Sequence, residues 1–142
     1  MNKFSDTEIA YTAGIIDGEG CIFAYRPNPK THSRNITIGV TVGITDMIIP
    51  CWLKAKYGGG LSEQAYSNKK WKSYATWGLT GPKCMTLLEL LIPYLKIKKH
   101  QAYLAIECQL LQKTQGGSIK YKEGGPKKQE GYTQHKHFIF KH

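Results

Sequence analysis

The sequence predicts an α+β fold in which one antiparallel sheet carries helices on one of its faces. Two regions alternate apolar and polar residues with the period of two that is typical of half-buried strands. Helical stretches precede, separate and follow these regions, which gives the order helix, hairpin, helix, hairpin, helix, helix. With 142 residues, the chain is long enough to form one domain with a hydrophobic core.

The first helix and the first hairpin are predicted from local signals. In "SDTE", we expect Ser5 to be the N-cap and Glu8 the third helical residue of a capping box. The helix should run to about Asp17 and stop in the glycines that follow. The stretch "CIFAY" is then a strand, and "RPNPKTHSRN", with its two prolines, is a loop. In "NITIGVTV", every second residue from Ile36 to Val42 is apolar, which predicts a strand with one buried face.

The second half repeats this arrangement. A helix is expected from about Thr45 to Tyr57, and Pro50 either kinks this helix or marks its beginning. The glycines at 58–60 end it. Two further helices are expected in "GPKCMTLLELLIPYL" and "KKHQAYLAIECQLLQK". We expect residues 1–115 to form the domain and residues 116–142 to form a basic, Gly- and Lys-rich C-terminal tail. The second hairpin should have an apolar face (Ala75, Trp77 and Leu79) and a polar face (Lys72, Tyr74 and Thr76).

The charge distribution favours a nucleic-acid partner. The formal net charge is +10, and the first 19 residues contain one lysine against four acidic residues. The rest of the chain is therefore even more basic than the total suggests. A folded chain of this charge favours a polyanion, and no basic amphipathic helix points to a membrane surface. A ribosome-associated or merely soluble basic protein is the simplest alternative.

Several classes of protein are disfavoured by what the sequence contains. No apolar run is long enough to span a bilayer, and "MNKFSDTEIA" does not resemble a secretory signal. We therefore expect an intracellular protein, in the cytoplasm of a prokaryote or phage host or in an organelle. The four cysteines are widely spaced without a CxxC pair, so we expect free thiols and no structural zinc.

The stretch "YTAGIIDGEGCI" combines small residues with two acids. Ala10, Gly14 and Gly18 are spaced by four, so on a helix they form one stripe that allows a second helix to approach closely. Asp17 and Glu19 lie where this helix ends. If two copies met along the stripe, their Glu19 carboxylates would lie close together and would need a cation between them. Mg²⁺ suits this role, and metal-assisted hydrolysis of a phosphodiester follows.

Within this stretch, "TAGIIDGEG" at residues 12–20 resembles the motif that names the LAGLIDADG homing endonucleases. Ala13, Gly14, Ile16, Asp17 and Gly20 match the motif in type, whereas Thr12 departs from it. The predicted element order resembles this family over about residues 5–112, as do "GGGL" and "PYLKIKKHQA". The resemblance implies a saddle-shaped antiparallel sheet that lies in the major groove of DNA. Because one motif is present per chain, it also implies a homodimer and a partly palindromic target.

The resemblance also implies roles for individual residues. Glu19 matches the acid that binds the catalytic metal, with help from the Gly18 carbonyl, and Lys98 matches a lysine that supports catalysis. The expected ion is Mg²⁺, with Ca²⁺ or Mn²⁺ as alternatives. Ile44 stands where the family often has Gln or Asn, which is a departure, and a shift of one residue would nominate Thr45 instead. The expected dimer interface comprises Ala10, Ala13, Gly14, Asp17 and Gly18.

Contacts to DNA are predicted from the alternation along the strands. Arg26 and Arg34 are suited to pair with guanine, whereas lysines more often bind phosphates. The expected contacts in the first hairpin are Tyr25, Arg26, Asn28, Lys30, His32, Arg34, Asn35, Thr37 and Thr41. Those in the second hairpin are Gln64, Lys69, Lys70, Lys72, Tyr74 and Thr76.

The function expected from these observations is site-specific, metal-dependent cleavage of double-stranded DNA by a homodimer. Two alternatives use the same fold. An intron RNA maturase would bind RNA, and the basic tail and Ile44 are compatible with it. A non-catalytic DNA-binding regulator would not need both acids, yet Asp17 and Glu19 are both present.

Overall fold

The computed structural model describes residues 3–27, 35–65, 67 and 70–114, and the expected tail at 116–142 lies outside them. The order of helices and strands is αββαββαα, as the sequence predicts. The helices are α1 (Asp6–Glu19), α2 (Ile48–Tyr57), α3 (Gly81–Leu91) and α4 (Lys99–Thr114). The strands are β1 (Gly20–Tyr25), β2 (Thr37–Ile44), β3 (Gly60–Gln64) and β4 (Tyr74–Thr80).

The four strands form one antiparallel sheet in the order β1-β2-β4-β3. Each hairpin contributes two neighbouring strands, and the two hairpins join at the centre, where Val42 of β2 lies opposite Trp77 of β4. The outer pairs place Thr37 opposite Tyr25 and Gln64 opposite Tyr74. Because β2 and β4 pair antiparallel, Tyr25 and Gln64, which end the first strand of each hairpin, lie at opposite ends of the sheet.

The predicted alternation is confirmed on both central strands. Ile38, Val40 and Val42 are completely buried on β2, and Ala75, Trp77 and Leu79 are buried on β4. These residues form the core with the helices, while the alternate residues of both strands retain exposed surface except Gly39, which is buried. The helices therefore cover one face of the sheet and leave the other open.

Helix α1 begins with the predicted capping box. The Ser5 hydroxyl accepts a hydrogen bond from the Glu8 amide, and the Glu8 carboxylate accepts one from the Ser5 amide. The helix ends at Glu19, two residues later than expected. It continues through Gly14 and Gly18, and β1 begins directly at Gly20. The amide of Gly20 still donates to the Ile16 carbonyl.

Helix α2 begins at Ile48, so Pro50 lies in its first turn and does not kink it. The expectation of a start near Thr45 was three residues too early. The N-cap residue is Met47, and the Asp46 carboxylate just before it accepts a hydrogen bond from the Ile48 amide at 2.6 Å, which satisfies one amide of the first turn. At the other end, Gly58 and Gly59 have φ values of 77° and 92°, a backbone conformation that residues with a side chain rarely adopt. These glycines end the helix, as the sequence predicts.

The four cysteines are free thiols in the structure. Burial raises the pKa of Cys84 to about 12, so this thiol stays protonated inside the core. Among the helices that the structure describes, none has the length and apolar character needed to cross a membrane.

We expect Gly20→Ala to destabilise the fold by about 1–3 kcal/mol because of overpacking. A Cβ at this position would lie 2.7 Å from the Ile16 Cα and 2.8 Å from the Ile16 carbonyl oxygen, and neither backbone atom can move aside cheaply. Gly60→Ala is the matched control, since a Cβ there meets open space. Urea unfolding at one protein concentration measures both variants. Equal stability of the two would show that the α1–β1 junction is not tightly constrained.

Candidate functional site

The end of α1 exposes one carboxylate. Gly18 and Glu19 are both exposed, and the sharp passage from helix to strand at Gly20 places Glu19 at the edge of the sheet. Among the residues that the structure describes, the Glu19 side chain has no hydrogen-bond or ion-pair partner. It is therefore available to a ligand, and its oxygens are suited to a hard cation.

Asp17, the other acid, is fully engaged within its own chain. Its carboxylate accepts hydrogen bonds from the amides of Lys96 at 2.7 Å, Ile97 at 3.2 Å and Lys98 at 3.0 Å. These amides precede α4, so Asp17 caps that helix and ties it to the end of α1. We expected Asp17 at the dimer interface. Its carboxylate joins two helices of one chain, and its place at a dimer interface stays a prediction.

Lys98 lies beside the same helix end. Its ammonium donates a hydrogen bond to the Asp17 carbonyl oxygen at 2.7 Å, two residues before Glu19. A cation at the C-terminal end of a helix is favoured by the helix dipole. Burial raises the pKa of the Cys21 thiol, and the positive charge of Lys98 partly opposes this rise. Lys98 is thus held close to the α1–β1 junction.

Ile44 is the last residue of β2 and is half-buried. It continues the series of Ile38, Val40 and Val42, so its strand position belongs to the apolar face. Thr45, which follows it, is exposed. Of these two neighbours, only Thr45 has a side-chain hydroxyl, and this residue is exposed. The side chain of Ile44 offers no polar group to a reaction site.

The small residues of α1 divide between two faces. Gly14 and Gly18 are exposed, and a Cβ at either position would meet open space, while Ala10 is half-buried. Ala13, which we also expected at the interface, has no exposed surface and lies in the core of its own chain. Residue 13 falls between the positions of the stripe, so it turns inwards. The exposed stripe is therefore Ala10, Gly14 and Gly18.

The described members of the predicted DNA contacts lie on the open face of the sheet or in the segments next to its strand ends. Tyr25 is 38% exposed, Arg26 is exposed, and Thr37 and Thr41 of β2 are half-buried. Asn35 precedes β2 and is exposed. In the second hairpin, Gln64, Lys70 and Lys72 are exposed, and Tyr74 and Thr76 are half-buried. The predicted contacts that lie outside the described residues are Asn28, Lys30, His32, Arg34 and Lys69.

Two aromatic rings lie across glycines on this open face. A Cβ at Gly39 would overlap the Phe23 ring, and a Cβ at Gly43 would overlap the Tyr74 hydroxyl. Phe23 is not among the residues predicted from the sequence, although its alternation with the buried Ile22 and Ala24 indicates its direction. Nor is Ser62, which lies opposite Thr76 on the exposed edge strand. The polarity of Ser62 alone does not distinguish it from an ordinary surface serine.

Within the part of the chain that the structure describes, no group of three or more His, Cys, Asp and Glu side chains is arranged to hold a metal ion. Glu19 and the Gly18 carbonyl are oxygen donors of the kind that Mg²⁺ and Ca²⁺ prefer. One chain alone supplies these two donors at the end of α1, so further ligands would have to come from a second copy or from substrate.

Comparison with known proteins identifies the fold. No family model matches the sequence, and no match is found among curated proteins. Solved structures do match. I-CvuI in complex with its target, in the presence of calcium, has a TM-score of 0.63 and 24% identity over 78% of this chain and 71% of its own. The archaeal intron-encoded homing endonuclease I-Vdi141I, complexed with DNA, has a TM-score of 0.56 and 13% identity over 83% and 89%.

A third match shows the same fold in a longer chain. The LAGLIDADG homing endonuclease I-SmaMI, bound to cleaved DNA, has a TM-score of 0.57 and 22% identity. The match covers 81% of this chain and 39% of I-SmaMI. The chain described above therefore has the LAGLIDADG homing endonuclease fold, as its sequence motif suggests.

Proposed function

We propose that this chain, with the fold of the LAGLIDADG homing endonucleases, is a site-specific, metal-dependent endonuclease that cuts both strands of DNA. The observation that carries the proposal is the exposed Glu19 carboxylate at the end of the motif helix, where the Lys98 ammonium donates to the Asp17 carbonyl oxygen two residues earlier. The DNA complexes of I-CvuI and I-Vdi141I support it. Both acids of the motif are present, which a binding-only protein would not need.

A divalent cation is proposed at Glu19 and the Gly18 carbonyl, with Mg²⁺ as the working ion and Ca²⁺ or Mn²⁺ as alternatives. I-CvuI was crystallised with calcium and with magnesium. When bound, such an ion activates water and stabilises the negative charge that develops on a phosphate during hydrolysis. Glu19 would hold the ion and orient it, while the Lys98 ammonium would offset charge on the scissile phosphate. Asp17 would keep Lys98 in place through its three amide contacts.

The protein is proposed to act as a homodimer through the exposed stripe of α1. Open space over Gly14 and Gly18 supports a close approach of two helices. Tyr11, which is 54% exposed, extends this surface and contacts the Trp52 ring with a centroid separation of 5.4 Å. Two copies meeting here would bring both Glu19 residues together above the DNA. A symmetric dimer would recognise a partly palindromic site.

DNA is proposed to lie against the open face of the sheet. Arg26 and Lys72 bring positive charge from the two hairpins, and Tyr25 and Thr37 provide hydrogen-bonding groups where β1 and β2 pair. Antiparallel strands suit the width of the major groove. The remaining predicted contacts on this face are Asn35, Thr41, Gln64, Lys70, Tyr74 and Thr76.

The stripe gives a direct prediction. Gly14→Leu should convert the dimer into a monomer, because the added side chain would separate the two helices. Folding of the single chain should survive, since the new side chain meets open space and leucine is a better helix former than glycine by roughly 0.5–1 kcal/mol. Sedimentation equilibrium should give the 16.0 kDa mass of one chain for the variant and twice that mass for the wild type. Glu89→Leu, on the exposed side of α3, is the control that should remain dimeric. If the Gly14→Leu variant sediments with the same mass as the wild-type dimer, the stripe is not the dimer interface.

Removal of the metal tests the reaction class. Random-sequence duplexes that the protein retains in EDTA should stay intact, and addition of Mg²⁺ should then produce strand breaks. Gel electrophoresis under denaturing conditions measures both states. Equal breakage in EDTA and Mg²⁺ would contradict a metal-dependent nuclease, and saturated binding without breakage in Mg²⁺ would favour a binding-only role.

A further inference from the structure

A groove opens in the helix layer, on the side opposite the open face of the sheet. It lies between the beginning of α1, the last turn of α2 and one side of α3, and its volume is about 430 Å³. We refer to it as the lysine-rimmed groove. Its lining includes Lys3, Phe4, Lys54, Lys83, Leu87 and Leu90.

The rim of this groove is cationic. Lys3, Lys54 and Lys83 are exposed, and they come from the segment before α1, from α2 and from α3 respectively. The fourth lysine, Lys56, is paired with Glu8. None of the lining residues is acidic, and no described residue forms an ion pair with Lys54 or Lys83. Three positive charges therefore surround one depression without compensation from the groove itself.

The floor of the groove is apolar and has no free hydrogen-bonding side chain. Leu79 and Leu87 are buried beneath it, and Phe4 and Leu90 are half-buried beside them. The two hydroxyl groups in the lining are already used. The Tyr57 hydroxyl shares a hydrogen bond with Thr12 at 2.8 Å, and Thr86 donates to the Pro82 carbonyl at 3.1 Å. A ligand can thus bury apolar groups on the floor and place acidic groups on the rim.

The groove is separate from the proposed nuclease site. It adjoins the first turn of α1, whereas Glu19 is the last residue of that helix of 14 residues. At 1.5 Å per residue, the two ends lie about 20 Å apart. The groove also faces away from the sheet surface proposed to bind DNA. Neither DNA cleavage nor DNA binding therefore explains the three lysines on its rim, which have no acidic partner within the groove lining.

We propose that the lysine-rimmed groove binds an acidic polypeptide segment of another protein, with apolar side chains on the floor and carboxylates on the lysines. The groove has the size of a small binding pocket and fits a few side chains. A nucleic-acid base fits less well, because its polar edges would be buried against leucines without partners. The chain's own residues 116–142 are also unsuitable, since they contain six lysines and only two acidic residues.

Selection from a displayed library of random 12-residue peptides tests this proposal. Peptides enriched on the wild-type protein should be rich in Asp and Glu and should carry Leu, Ile or Phe. The enriched peptides are then synthesised with a fluorophore, and their binding is measured by fluorescence anisotropy. We expect Lys54→Glu with Lys83→Glu to weaken this binding at least tenfold and to leave retention of duplex DNA unchanged.

The matched control is Arg26→Glu with Lys72→Glu, which makes the same charge change on the open face of the sheet. This control should retain peptide binding and lose DNA binding. Three results would overturn the proposal: no enrichment of acidic apolar peptides, equal weakening of peptide binding by both double variants, or displacement of the peptide by single-stranded RNA of the same length. Because cleavage is not measured, failure here leaves the proposed nuclease function unaffected.

Discussion

Glu19→Gln is expected to abolish DNA cleavage and to leave DNA binding largely intact. The substitution keeps the size of the side chain but removes the charge that would hold a divalent cation. Mutation of residues that hydrogen-bond to metal ligands typically lowers metal affinity or activity about 10–100-fold. Loss of the ligand itself should therefore lower the cleavage rate by about 100-fold or more. Cleavage in Mg²⁺ and retention on DNA filters measure the two activities separately.

Glu89→Gln is the control for this experiment, because it makes the same chemical change on the exposed side of α3. It should cut DNA as the wild type does. Full activity of Glu19→Gln would remove Glu19 from the reaction. Loss of both binding and cleavage would indicate that Glu19 contributes to the structure of the α1–β1 junction instead.

Asp17→Ala should destabilise the fold by roughly 2–4 kcal/mol, because three backbone amides lose one charged acceptor. The loss should be larger than that of Asp46→Ala, which removes a single amide contact at the beginning of α2. Urea unfolding at one protein concentration gives the free energy of unfolding for both variants.

The same substitution should also reduce cleavage at temperatures where the variant remains folded. Lys98 is tied to α1 through the Asp17 carbonyl, and its backbone amide is one of the three that Asp17 binds. A smaller loss of stability for Asp17→Ala than for Asp46→Ala would contradict the account of Asp17 as the link between α1 and α4.

Local signals in the sequence were sufficient for most of the fold. The capping box at Ser5 and Glu8 requires only neighbouring residues, and the alternation around Val40 and Trp77 reflects a sheet with one buried face. The start of α2 was predicted less accurately, because the expected start near Thr45 lies three residues before the observed start at Ile48. Helix boundaries depend on caps that sequence patterns locate only approximately.

The candidate site was only partly predictable. The motif placed two acids at the end of α1, but nothing local separates their roles. Asp17 turns towards amides some 80 positions away in sequence, a tertiary contact that no periodicity reveals. Ala13 matches the motif as well as Gly14 does, yet the helical turn directs it into the core. The roles of such residues depend on which face of α1 the rest of the chain covers.

The central claim is that two copies of this chain place their Glu19 carboxylates over one DNA site. Incubation of a randomised duplex library with the purified protein and Mg²⁺, followed by sequencing of the cut ends, tests it most directly. We predict recurrent cuts at related, near-palindromic sites for the wild type and none for Glu19→Gln. Recurrent cuts at sites without twofold symmetry, or cuts by both proteins alike, would contradict the claim.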